Sequence, residues 1–131
     1  MNPSFREIVD AICKMDSRYQ PEAYAFLVEA LDMTVKEILK ETPGHGRHVT
    51  GKELMEGLRT YALAEFGPMT CMVFSEWGVS ATLDFGNIVF NLIEAGRLSK
   101  TETDTLEDFR DVFSFEEAFR EPFEPKQKFD A

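Results

Sequence analysis

The sequence predicts a mostly α-helical single domain of five or six short helices, and three observations carry that prediction. Apolar residues recur at three- and four-residue spacing through most of the chain. Ser4–Glu7, Thr50–Glu53 and Ser114–Glu117 each read Ser/Thr-x-x-Glu or its close equivalent, the signature of a capped helix start. Most glycines and prolines fall between the apolar stripes, where they punctuate rather than interrupt.

Taken in order, Phe5, Ile8, Val9, Ile12 and Cys13 form the first helical stripe, opened by the Ser4 box. Pro21 opens a second helix, at a position where its missing N–H costs nothing. Tyr24, Leu27, Val28 and Leu31 are its buried face, and the pattern allows either an end near Asp32 or a restart at Thr34. Glu41–Val49 reads as a loop. Thr50 then caps a helix over 50–66, whose Leu54, Leu58, Tyr61, Ala62 and Phe66 face inward until Gly67-Pro68 stops it. A short helix over 68–77 ends at Gly78, a natural left-handed cap. Another spans 81–95 on Phe85, Ile88, Val89, Leu92 and Ile93, with Gly96 as its cap. Gly86 inside it costs about 1 kcal/mol against alanine, so a close approach by another part of the chain is expected there.

Beyond Gly96 the periodicity weakens. Arg97–Lys100 reads as a short strand and Leu106–Val112 as either its return strand or another helix. The first option gives a small β-hairpin near 97–113, which after three helices suggests a winged-helix-like core. The single domain is expected over 1–120. A loosely held tail over 121–131 carries Pro122, Pro125, Lys126 and Lys128.

At 131 residues the chain has the size of one domain, and a hydrophobic fraction of 44% is enough for a core. No apolar run of about 18 residues predicts a membrane span. Met1–Glu7 has no basic segment leading into an apolar one, which points away from secretion. Cys13 and Cys71 sit in apolar helical patterns, as buried thiols in a reducing compartment do. A cytoplasmic protein is the expectation. The net charge of -10 repels phosphate backbones and counts against nucleic-acid binding.

The charge is uneven, however. Residues 42–60 carry three basic and two acidic groups, while residues 101–131 carry four and ten. The less acidic stretch contains Gly44-His45-Gly46-Arg47-His48-Val49-Thr50-Gly51-Lys52, with both histidines of the chain, running directly into a helix start. His45, Arg47, His48, Thr50, Lys52 and the nearby Arg59 are therefore the candidate ligand- or partner-binding residues. Arg47, Lys52 and the unsatisfied N–H groups of the helix start suit a small anion. A histidine pair three apart in a loop fixes no metal geometry, and no metal or cofactor is expected. Gly46–Lys52 has the spacing of a phosphate-binding P-loop, but Glu53 replaces the required Ser or Thr and no apolar strand precedes it. The helix over 81–95 exposes Thr82, Asp84, Asn87, Asn91 and Glu94, with no cation to read DNA. Nucleophile and metalloprotease signatures are missing, which leans away from catalysis.

In the C-terminal third, Phe109, Phe113, Phe115, Phe119, Phe123 and Phe129 alternate with acids. They fit either a set of core pins or an acidic-aromatic surface for a basic protein partner. The leading functional expectation is a non-enzymatic binding or adaptor module with a protein partner. It would act through the 44–52 loop and this acidic-aromatic region; a small-anion or nucleotide sensor is the alternative.

The segments Tyr24–Leu31, Arg47–Leu54, Phe66–Met69, Glu76–Gly78, Asp84–Phe90 and Glu107–Phe109 together resemble a small bacterial family of uncharacterised proteins of about this length. The resemblance covers roughly residues 5–120 and implies a bacterial cytosolic protein. It supplies no catalytic residue.

Overall fold

A computed structural model describes residues 3–41, 48–99 and 105–125. Five α-helices follow one another: α1 (Phe5–Met15), α2 (Pro21–Glu41), α3 (Gly51–Phe66), α4 (Thr70–Glu76) and α5 (Thr82–Glu94). Short 3-10 turns at Gly67–Met69, Leu106–Phe109 and Glu121–Phe123, and a π turn at Glu116–Arg120, complete the described chain. None of the described helices is long and apolar enough to cross a membrane.

Local chemistry sets the helix starts. Ser4 Oγ accepts the Glu7 N–H at 3.2 Å while Glu7 reaches back to the Ser4 N–H, so the first box forms in full. Gly78 and Gly96 end α4 and α5 with φ of 85° and 80°, the left-handed conformation that a side chain disfavours. Helix α2 runs unbroken through both of its expected boundaries. The Thr34 hydroxyl donates to the Ala30 carbonyl at 2.8 Å, so a residue that reads as a cap is instead satisfied in mid-helix.

The hairpin near 97–113 and the winged-helix-like core are not what forms: no described residue is in a strand. The Arg97 and Leu98 N–H groups both donate to the Leu92 carbonyl, which folds this stretch back onto the end of α5. At the far side, the Thr105 N–H donates to Asp108 Oδ2 at 3.0 Å and closes a 3-10 turn. Local hydrogen bonds thus consume the groups that a strand ladder needs.

That turn delivers Phe109 into the core. Its Cβ would lie 2.7 Å from a Cβ built at Gly86, so the close approach expected of this glycine is made by Phe109. The Thr82 hydroxyl, fully buried, donates to the Phe109 carbonyl at 2.6 Å and accepts the Val112 N–H at 3.2 Å. Phe119 is also fully buried, and Phe113 and Phe115 pack partly buried against it. These phenylalanines are core pins. Ser114 Oγ accepts the Glu117 N–H, and the helical turn after it closes as a π turn, with Glu121 N–H donating to Glu116 O. Glu121–Phe123 form the 3-10 turn, with Glu124 in extended backbone after it, while Lys126, Lys128 and Phe129 lie outside the described residues.

A polar seam joins the α1–α2 link to α5. Tyr19 donates to Asp84 Oδ1 at 2.7 Å and accepts from Asn87 at 2.9 Å. Asn91 donates to both Asp16 and Tyr24. Arg18 grips Asp16 through two side-chain hydrogen bonds, and these hold the Asp16 carboxyl well below the usual carboxylate range. Burial pushes Tyr19 up to about 12 and raises Tyr24 as well. Burial also raises the Cys13 thiol, helped by Asp10 and Asp16. Every polar group here is engaged by another, which suits a structural clasp between helices.

Candidate functional site

The site is built from the start of α3. Thr50 has extended backbone, its Oγ1 accepts the Glu53 N–H at 3.1 Å, and its own N–H donates to Glu53 Oε1 at 3.0 Å. This is the expected capping box, and it uses both the hydroxyl and the N–H of Thr50 internally. It also places the Glu53 carboxylate at the positive end of the helix, where it already complements the dipole. Next along, Gly51 is buried: a Cβ there would come within 3.0 Å of the Phe109 ring, so the helix start and Phe109 pack edge to edge.

Beside this contact lies a cavity of about 270 Å³. Leu31 and Val35 of α2 form one wall, Val49 and Leu54 a second, and Val89, Phe90 and Ile93 of α5 a third. Leu98 and Phe109 close it. The lining is apolar apart from His48 and Ser99. His48 itself is exposed.

Of the six residues singled out from sequence, His45 and Arg47 lie outside the described residues. His48, Thr50 and Lys52 sit together around the α3 start, with His48 on the cavity and Lys52 exposed. Arg59 is not part of that group. It lies two turns further along α3, its guanidinium 5.6 Å from the Phe113 ring centroid and 3.9 Å from Glu56. There it lies over an aromatic ring as a cation–π partner.

Sequence reasoning missed the cavity walls. Their signal is faint because Leu31, Val35, Val89 and Ile93 each look like ordinary stripe residues. Four chain segments contribute to the lining, and no local spacing reports that they fail to fill the space between them. Gly51 and Gly86 were the available clues, since both are places where Phe109 comes close enough to exclude a side chain.

A second apolar concavity runs between α1 and α5, and a more polar one is lined by Cys71, Ser75, Ser80, Ser114 and Arg120. In the latter, Arg120 faces Glu116 at 3.6 Å and Ser80 is held by Asp84. Among the described residues, no three His, Cys, Asp or Glu side chains converge as metal ligands would. No family model, curated protein or solved structure matches this chain.

Proposed function

We propose that this protein is a binding module, and that its ligand is a small molecule carrying a compact apolar group that seats in the cavity beside the α3 start. The observation that carries this reading is the cavity itself: about 270 Å³, apolar on every wall, with polar groups only at His48 and Ser99. Binding sites for small molecules have this character, a concave apolar body with a few polar groups. An apolar cavity of about 150 Å³ stays dry and takes up a single aromatic ring, so this one accommodates a ring with substituents or a short branched chain. Burying about eight carbon atoms yields about 6 kcal/mol gross, which after association costs leaves affinity no better than millimolar.

The same geometry favours an apolar ligand over a free phosphate or nucleotide. Thr50 and Glu53 occupy each other, and the Glu53 carboxylate stands where an anion would bind. It also shifts weight away from the acidic-aromatic C-terminal surface, whose Phe109 and Phe119 are buried.

Indole and octanoate serve as probes. Titration of either is expected to move the methyl resonances of Leu54, Val89 and Ile93 saturably and to raise the melting temperature. Val35→Trp, at a wall residue 36% exposed, is expected to fill the cavity and remove both effects without unfolding the protein. Methyl resonances that stay unmoved by both probes at millimolar concentration would sink this reading.

A further inference from the structure

The α1–α5 concavity is a groove of about 710 Å³ that the cavity reading does not use. Its floor is a stripe on α1: Ile8, Ala11, Ile12 and Met15, at spacings of three, four and seven residues. Those are the spacings with which one helix packs on another. Ile12 is buried beneath the stripe, but Ala11 is exposed and Met15 is 92% exposed. An unbranched methionine left in water beside an apolar groove is the adaptable kind of contact that binding surfaces use.

The groove's charged groups are all acidic: Glu7 and Asp16 from the α1 side and Glu94 from α5. Asp16 is shared with Arg18 and Asn91, which fixes its place at one end. Glu94 is the last residue of α5, where a carboxylate faces the negative end of the helix dipole, and it has no ion pair among the described residues. A cation from outside would relieve that repulsion. A second copy of this chain would bring the same three carboxylates against its own, in a protein of net charge -10.

We propose that the α1–α5 groove docks a basic amphipathic helix of a partner protein, with its apolar face on the Ile8–Met15 stripe and its lysines or arginines toward Glu7 and Glu94. Helix α1 is eleven residues long, about 16 Å, so a partner segment of three to four turns spans the groove. Recognition of this kind reads anchors at i, i+3/i+4 and i+7, with charge setting register and partner.

The test uses the full chain and a fluorescent leucine–lysine peptide of about 14 residues with its leucines on one helical face. A control has the same composition shuffled to remove the stripe. The amphipathic peptide is expected to bind with micromolar affinity, at least about tenfold tighter than the control. Met15→Glu and Glu94→Lys are expected to cost about tenfold each; both positions are exposed, so folding is preserved. In methyl spectra the Met15 resonance shifts, while Met69 and Met72, exposed at 48% and 59%, stay in place. Equal binding of the shuffled peptide, or shifts at Met69 and Met72 instead of Met15, overturns the proposal. So does a dimer in sedimentation that Met15→Glu dissolves, since the occupant would then be a second copy.

Discussion

The two ends of this core are filled to different degrees. At one, Phe74 lies with its ring centroid 5.1–5.7 Å from Phe26, Trp77, Phe85, Phe115 and Phe119, and it is fully buried. Those are favourable separations for aromatic pairs, and the rings leave little room between them. At the other end, Leu31, Val35, Leu54, Val89 and Ile93 surround about 270 Å³ that no side chain fills. Both ends are apolar and belong to one domain, so hydrophobicity does not separate them. Packing does: it concentrates stability at the aromatic end, and the aliphatic end is where the proposed ligand would seat.

Removing a ring from the filled end gives the largest expected effect. Phe74→Ala is expected to cost about 3–5 kcal/mol, because five neighbouring rings cannot collapse into the space. Urea unfolding followed by Trp77, the chain's one tryptophan, measures it directly. A loss below about 1.5 kcal/mol would mean the aromatic end is loosely packed, and the contrast would fail.

Thr82→Val comes next, at about 1–3 kcal/mol. The hydroxyl it removes serves the Phe109 carbonyl and the Val112 N–H, and valine keeps the shape while leaving both unsatisfied. Phe109 also forms part of the cavity wall, so this variant loosens the boundary between the two ends. Reduced uptake of indole alongside the stability loss is the expected pair of results. Unchanged uptake would show that the cavity does not depend on how firmly Phe109 is held.

How much of this was legible beforehand follows the range of the interactions involved. Helix starts and stops were readable because a capping box or a left-handed glycine acts within four residues: Ser4 with Glu7, Thr50 with Glu53, Gly78 and Gly96 all appear as read. Gly86 was readable as a close approach, though not that Phe109 makes it. The continuity of α2 was hidden, since Thr34 serves equally well as a cap or as a donor to Ala30. The hairpin was an error of the same origin: 97–113 has no strong period, and Leu92 and Asp108 capture its N–H groups locally. Around the candidate site, the proximity of His48, Thr50 and Lys52 was readable because they are neighbours in sequence. The cavity and the α1–α5 groove arise where separate helices meet imperfectly, and one-dimensional spacing carries no measure of that.

Enlarging side chains sharpens the contrast with smaller effects. Ala118→Leu adds three carbons to a fully buried position next to Phe119 and is expected to cost about 1–3 kcal/mol. Val89→Leu adds one carbon at a cavity wall and is expected to be neutral or stabilising by up to about 1 kcal/mol, since it grows into space and suits a helix better. Thermal melts of the pair decide it: equal losses would mean the cavity is not available volume.

The smallest effect lies at the polar margin of the aromatic end and appears only in alkali. All three tyrosines of the chain are held above the ordinary phenol value of about 10. Tyr61 stacks on Phe26 with centroids 5.1 Å apart, and its hydroxyl donates to Glu29 at 2.7 Å, which pushes it up to about 12. Burial does the same for Tyr19. A raised pKa means the fold favours the neutral phenol. The contribution to stability is therefore complete below pH 10, the unfolded value, and is lost as pH rises from 10 through about 12. Phenolate absorbance from Tyr19 and Tyr61 is expected to lag behind that of a free phenol and to rise toward about pH 12 together with loss of helical signal. Glu29→Gln separates the causes: it removes the main carboxylate beside Tyr61, leaving Glu65, and touches neither other phenol, so one third of the absorbance change moves toward pH 10 while Tyr19 and Tyr24 hold. If all three shifted together, the phenols would be reporting global unfolding, and the rim of the aromatic end would be no firmer than the cavity opposite it.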